Sequence, residues 1–115
     1  KQFSARTRVI GVYESGDVYV KDDVLKKKVI HDPQGYFLLA AGSTVLAFRD
    51  RLDNEEELSI TAEGDHIVDE NLGAKWKLTG APVSETTQAL SPVPISDEYW
   101  FSWKLFHPSS TPAKG

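Results

Sequence analysis

The sequence contains no cysteine and no methionine. Without a thiol the chain cannot form disulfides, zinc–thiolate centres or iron–sulfur ligation, and a cysteine nucleophile is excluded as well. No apolar run approaches the roughly 18 residues that a membrane-spanning helix needs. Basic residues are fewer than acidic ones, 13 against 17, and apart from residues 26–28 they are scattered. Because a nucleic-acid surface needs a basic face or stripe, we expect no nucleic-acid partner.

The chain does contain enough apolar residues for one core. Hydrophobic residues make up 40% of its 115 residues, and this length is near the commonest domain size. We therefore expect a single domain over residues 1–115 that folds in water. Residues 109–115 are small and polar and are expected to form a mobile tail. A start without methionine or an apolar leader indicates a trimmed or processed chain, so the residues do not reveal the localisation.

Short segments rich in β-branched and apolar residues, separated by turn residues, dominate most of the chain. Residues 8–13 and 18–20 flank a Gly-Asp turn and predict a hairpin. Residues 22–28 place acids before bases, an order that suits the dipole of a short helix. The continuous apolar run over residues 36–41 predicts a strand buried on both faces. Further strands are expected near residues 29–31, 44–49, 58–62, 66–69 and 74–79.

The C-terminal part of the sequence has a different composition. Residues 80–95 include three prolines and predict an extended surface connection, with Ala89 and Leu90 touching the core. Ser96 is a suitable N-cap, with Asp97 and Glu98 in the first turn, and predicts a helix that ends before Pro108. The predicted fold class is therefore α+β, mainly β: an antiparallel meander with a short helix after the first hairpin and one aromatic C-terminal helix.

The predicted C-terminal helix carries many aromatic side chains. They cannot share one narrow stripe, so a helix here is apolar around most of its circumference. In one interpretation the helix sits in a groove of the fold, with Trp76 beneath it and the 80–95 connection over it. In the other, an aromatic edge is exposed and forms an interface with a protein partner, a missing N-terminal segment or a ligand. The candidate interface or core aromatics are Tyr99, Trp100, Trp103 and Phe106.

Oxygen and nitrogen ligands are densest in residues 63–70. Asp65, His66 and Asp69 are the candidate metal ligands, since carboxylates and imidazole bind divalent cations. Calcium-loop spacing is absent, and a strand between Asp65 and Asp69 would hold the two carboxylates apart, so solvated turn charges are the competing interpretation. His31 and His107 share no short ligand spacing with each other, and structural roles at a turn and at a helix end are expected for them.

Four segments together resemble a known family: an aromatic segment ending in His107-Pro108, a tryptophan strand over residues 73–80, and residues 45–50 and 9–12. They are similar to the C-terminal part of the bacterial family catalogued as domain of unknown function 3179. The resemblance implies an uncharacterised domain whose relatives often look exported, hence an extracytoplasmic location. Many relatives carry a cysteine near the turn that corresponds to residues 40–43, and this chain has none. The resemblance transfers no functional residue.

These observations favour a function without catalysis. No nucleophile-elbow pattern surrounds Ser43, and no phosphate-cradling glycine loop occurs. The leading hypothesis is a non-enzymatic interaction or accessory domain of an exported protein that acts through an aromatic surface. The alternative is a small metal-dependent binding protein or enzyme that uses Asp65, His66 and Asp69, with His31 brought near them by the hairpins. No cofactor is predicted apart from that metal.

Overall fold

The computed structural model describes residues 3–53, 56–85 and 87–110. Strands predominate, and short helices follow the second and the last of them. The elements are β1 Arg8–Val12, β2 Val18–Val20, α1 Lys21–Lys27, β3 Val29–Asp32, β4 Tyr36–Ala41, β5 Thr44–Arg49, β6 Ile60–Glu63, β7 His66–Asp69, β8 Lys75–Lys77, β9 Ile95–Tyr99 and α2 Trp100–Phe106.

The strands form three small antiparallel sheets. The first sheet is β2-β1-β9, the second is β3-β4-β5 and the third is β6-β7-β8. The second and third sheets are simple meanders, and the first recruits a strand from the end of the chain. The predicted class, α+β and mainly β with a short helix after the first hairpin and a C-terminal helix, is confirmed. The predicted hairpin of β1 and β2 is present, with Ile10 opposite Tyr19.

Helix α1 has the charge order that its sequence predicts. Asp22 and Asp23 lie in the first turn and Lys26 and Lys27 in the last, which complements the helix dipole. Its buried side chain is Val24, which packs into the core. The helix stops at residue 28, where the backbone has φ of 71° and its N–H donates to the carbonyl of Val24.

The prediction of a helix capped by Ser96 is wrong. Residues 95–99 form β9, which pairs with β1 over five residues, from Val12 opposite Ile95 to Arg8 opposite Tyr99. Helix α2 begins only at Trp100, and no side-chain hydrogen bond caps it. The local capping signal is outweighed because β9, at the edge of its sheet, pairs the backbone groups on one side with β1. Asp97, expected in a first helical turn, instead pairs with Arg8 and Lys21.

Strand β4 is the centre of the core. Its alternate residues enter two different apolar clusters, so its burial on both faces is confirmed. Tyr36 and Leu38 pack in the first cluster, beside α1 and the β1–β2 hairpin, while Phe37 and Leu39 pack in the second, against the third sheet. One strand with this alternation therefore joins the two halves of the fold.

The connection predicted to be extended over residues 80–95 is extended only in its last part. Leu90 donates its backbone N–H to the carbonyl of Gly80, so the two ends of the 80–90 segment lie together. Residues 91–93 lie along β5, where Arg49 donates its backbone N–H to the carbonyl of Ser91 and Val93 donates to that of Ala47. Leu90 is buried in the second cluster, which confirms its predicted contact with the core. Its neighbour Ala89, which is predicted to make the same contact, is exposed, so that part of the prediction is wrong.

Candidate functional site

The buried side chain of helix α2 is that of Trp103. Trp103 is fully buried against Val9 and Val18, and its ring occupies the space where a side chain at Gly11 would lie: a Cβ there would come within 2.2 Å of a ring carbon. The predicted position of Trp76 beneath this helix is wrong, because Trp76 belongs to the second cluster with Phe48 and its neighbours. The helix lies instead on the sheet of β1, where glycine leaves room for the indole.

The outer side of α2 exposes large apolar side chains. The exposed fractions are 42% for Tyr99, 51% for Phe101, 72% for Leu105 and 78% for Phe106. These side chains form an exposed apolar edge, as one of the two interpretations predicts, whereas Trp103 is buried in the core. Tyr99 and Phe101 stack on each other with 6.0 Å between ring centroids.

An apolar groove lies between α2 and the segment that precedes β1; we call it the α2 groove. Backbone hydrogen bonds hold its two walls together, because Phe101 N donates to the carbonyl of Ala5 and Trp100 N donates to that of Thr7. Phe3 packs edge-on against half-buried Trp100 at 5.3 Å between ring centroids. The groove has a volume of about 340 Å³. Its lining residues are Phe3, Ala5, Trp100, Phe101, Lys104 and Leu105.

The charges around the α2 groove are mainly positive. Lys104 is the charged residue of the lining; its Nζ lies 5.4 Å from the Trp100 ring centroid and donates to the carbonyl of Ser110. Arg8 lies over the Tyr99 ring at 4.9 Å. The nearby carboxylate of Asp97 is paired on both oxygens. Burial by itself would raise the pKa of Asp97, but hydrogen bonds from Lys21 and Arg8 lower it overall.

A second feature, the polar cluster, joins the β1–β2 turn to the β3–β4 turn. Tyr36 Oη and Gln34 Nε2 both donate to Asp17 Oδ2, at 3.1 and 2.6 Å. Deeper in the fold, Tyr19 donates to the buried carboxylate of Asp32. Burial raises the pKa of Asp17, against the hydrogen bond from Tyr36, and the neighbouring Asp32 carboxylate raises it further. Burial also raises the pKa of both tyrosines.

The polar cluster opens into a cleft beside the end of α2, which we call the polar cleft. Its volume is about 310 Å³, and its walls are the β1–β2 turn and residues 106–110. Ser110 locks the walls together, since Trp103 Nε1 donates to its hydroxyl at 3.0 Å and the hydroxyl donates to the carbonyl of Gly16. This buried serine belongs to the tail that is predicted to be mobile, residues 109–115. Residues 111–115 lie outside the described part of the chain, so their mobility stays a prediction.

The candidate metal ligands have separate environments. Asp65 is exposed in the turn before β7, and His66 is half-buried opposite Glu63. Asp69 is buried and fixes the β7–β8 turn, because its carboxylate accepts backbone N–H groups from Ser59, Asn71 and Leu72. Across residues 3–53, 56–85 and 87–110, no group of three or more His, Asp or Glu side chains is arranged to hold a metal ion.

The other two histidines make structural contacts. His31 Nε2 lies 3.0 Å from the carbonyl of Ile60, which ties β3 to β6. His107 stacks on Trp103 with 3.8 Å between ring centroids. Neither lies in a cluster of metal-ligating side chains within the described residues.

Adding zinc, calcium or manganese is expected to leave the melting temperature unchanged. The carboxylate of Asp69 already accepts three backbone N–H groups, so a cation bound there would have to break the β7–β8 turn. Calorimetry of the metal-free protein with and without each cation measures this. A metal-dependent rise in melting temperature that disappears in His66→Ala would contradict the expectation and restore the metal hypothesis.

A further cavity lies between the β7–β8 turn and the 80–95 connection. Its volume is about 730 Å³, and exposed Leu72 and Val83 contribute to its lining. Gln88 in this lining has a structural role: its carbonyl accepts from Trp76 Nε1 at 2.8 Å and its Oε1 accepts from Asp53 N. Gln88 therefore anchors the 80–95 connection to Trp76 and to the backbone at Asp53.

Comparison with known proteins identifies the family. The family model described as protein of unknown function (DUF3179) matches residues 1–110. The chain belongs to the DUF3179 family. A search of curated proteins found no match to this DUF3179 chain. A search of solved structures found none either.

Two further observations concern the DUF3179 domain as a whole. Each described helix has seven residues, and none is long and apolar enough to cross a bilayer. Residues 40–43, where a cysteine is expected in relatives, lie at the tip of the β4–β5 hairpin, and Gly42 turns the chain there with φ of 65°. The residues of this tip line neither the α2 groove nor the polar cleft.

Sequence reasoning missed the polar cluster. Asp17, Tyr19, Asp32 and Tyr36 come from two separate hairpins, and no segment contains a recognisable spacing of all four. A weak signal exists in the pattern: each aspartate lies at a turn within four residues of a strand tyrosine. Only the packing of the two hairpins on the shared core makes these positions neighbours.

Proposed function

We propose that this DUF3179 domain is a non-enzymatic interaction module that docks an apolar segment of a protein partner in the α2 groove. The observation that carries the proposal is the exposure of Phe101 and Leu105 beside a preformed concave surface. Fully burying an exposed side chain of this size contributes about 1.5–3 kcal/mol, and a partner that covers the exposed parts of Phe101 and Leu105 gains a share of that from each. An extracytoplasmic setting belongs to the same proposal and is supported by the family resemblance.

The charges define the chemistry of the partner. Lys104 lines the groove, and within the described residues no carboxylate forms an ion pair with it. Arg6 is exposed on the segment that forms the opposite wall. A partner segment with an apolar core flanked by aspartate or glutamate would therefore be complementary in both shape and charge. A second copy of this chain fits less well, because the same basic groups would face each other.

Peptide selection tests this proposal and does not require an identified partner. Random peptides displayed on phage and selected on the purified domain are expected to converge on apolar segments with flanking acids. Phe101→Ser and Leu105→Ser are each expected to weaken binding of the best peptide about tenfold or more, since one buried apolar contact is lost. Lys104→Glu is expected to weaken it as well and to reverse its salt dependence. Fluorescence anisotropy measures the affinities.

Leu72→Ser is the matched control, because Leu72 is similarly exposed and lies outside the α2 groove. All these substitutions except the control should change affinity, and none should change the melting temperature much. Peptides that bind the Phe101 and Leu105 variants normally but lose affinity for Leu72→Ser would place recognition at the larger cavity and refute the proposal. Dimerisation of the free protein that Leu105→Ser abolishes would make a second copy the occupant instead.

A further inference from the structure

The polar cleft brings several hydrogen-bonding groups to one space. His107 is held flat against Trp103, and neither of its ring nitrogens makes a hydrogen bond within the described residues. Asp17 lines the same cleft, with Ser109 on the opposite wall. A carboxylate, an imidazole and a hydroxyl thus converge on one space of about 310 Å³.

The walls of this cleft are fixed in advance. The hydroxyl of Ser110 links Trp103 to the carbonyl of Gly16, so the segment after α2 cannot move away from the β1–β2 turn without breaking both bonds. Asp17 is likewise fixed by Tyr36 and Gln34. A ligand therefore meets groups that are already in place, which lowers the entropy cost of binding.

Asp17 is the carboxylate of the cleft lining, and Lys104 donates to the carbonyl of Ser110 on the other wall. No lysine or arginine lines the cleft, and within the described residues none forms an ion pair with Asp17 or with Asp32 behind it. The donors that Asp17 receives, from Tyr36 and Gln34, are all neutral. Asp17 is half-buried and keeps access to the cleft, so an organic cation that enters would supply the positive partner that its neutral donors do not.

The mouth of the cleft adds an aromatic surface. Phe106 is 78% exposed and lines the cleft, so its ring can pack against the stem or the face of a bound cation. Carboxylate and aromatic ring together are the pair of groups that recognise alkylammonium and guanidinium ions. The uncharged hydroxyl of Ser109 supplies an acceptor for a second N–H.

We propose that the polar cleft is a binding site for an organic cation, an amine or guanidinium group, with Asp17 as its counter-ion and Phe106 as its aromatic wall. The site is separate from the α2 groove and does not depend on the proposed docking function. The cation comes either from a small free molecule or from a lysine or arginine side chain of another protein.

The test is an NMR titration of the full chain with methylguanidinium, butylammonium, the tripeptide Gly-Arg-Gly and neutral methyl glucoside. The cations are expected to shift the amide signals of residues 15–17 and 106–110 with saturation, and methyl glucoside is not. Asp17→Asn is expected to weaken binding at least tenfold, whereas Asp65→Asn, which removes the same charge at an exposed turn, is expected to leave it unchanged.

Ser109→Trp is the second variant, because it fills the cleft from an exposed position and leaves the polar cluster intact. It is expected to abolish binding of the cations. Tighter binding of the tripeptide than of methylguanidinium identifies a protein side chain as the source, and the reverse order identifies a small molecule. Equal shifts from methyl glucoside, cation binding unchanged in Asp17→Asn or in Ser109→Trp, or no saturable shift at all would overturn the proposal.

Discussion

Replacing Trp103 with alanine is expected to lower the free energy of unfolding by about 3–5 kcal/mol, the usual cost of truncating a large core side chain. The ring is fully buried between β1 and α2, and it is the contact that fixes the helix to the sheet. Its loss also removes the hydrogen bond to Ser110 and the stack with His107. Denaturant unfolding followed by circular dichroism measures the effect.

Gly11→Ala tests the same contact from the other side. The new methyl group would overlap the indole, so Trp103 must move, and we expect a cost of about 1–3 kcal/mol from overpacking. Combined with Trp103→Ala, the glycine substitution should become nearly neutral because the obstacle is gone. Unfolding of both single variants close to the wild type would show that α2 is not anchored in this way.

Trp76→Ala is expected to cost a similar amount, about 3–5 kcal/mol. Trp76 is fully buried in the second cluster among Phe37, Phe48 and Ile67, and its Nε1 donates to the carbonyl of Gln88 at 2.8 Å. The substitution should therefore loosen the third sheet and release the 80–95 connection together. Calorimetric unfolding measures the loss of stability.

Trp76→Phe separates packing from hydrogen bonding at this position. It keeps most of the apolar contact and loses the Nε1 donor, so it should cost clearly less than alanine. An alanine variant that melts like the wild type, or a phenylalanine variant as unstable as the alanine one, would contradict this description of the second cluster.

Elements with a local signal could be predicted from the sequence. The charge order of α1 and the continuous apolar run of β4 both carry their structural information within a few residues. Strand β9 does not: the segment Ser96-Asp97-Glu98 has good helix-capping residues, and only its pairing with β1, more than eighty positions earlier, makes it a strand. Local propensity is a weak guide wherever a distant partner supplies the backbone hydrogen bonds.

The candidate sites likewise differ in whether their signal is local in the sequence or depends on tertiary contacts. An excess of aromatic residues over residues 99–106 is visible in the sequence, and it leaves open which side of the helix faces solvent. Gly11 decides this, because its missing side chain admits the Trp103 ring and turns Phe101 and Leu105 outward. The polar cleft was not predictable, since it joins the turn at Asp17 to His107, ninety positions apart, through tertiary contacts.

The most direct measurement of the central claim is the tryptophan fluorescence of the domain as the best selected peptide is added. Two of the three tryptophans are fully buried, and half-buried Trp100 lines the α2 groove. Docking in the groove predicts a blue shift of the emission that saturates with binding and disappears in Trp100→Phe. Saturable binding of the peptide with no change in the emission would contradict the claim that α2 is the recognition surface.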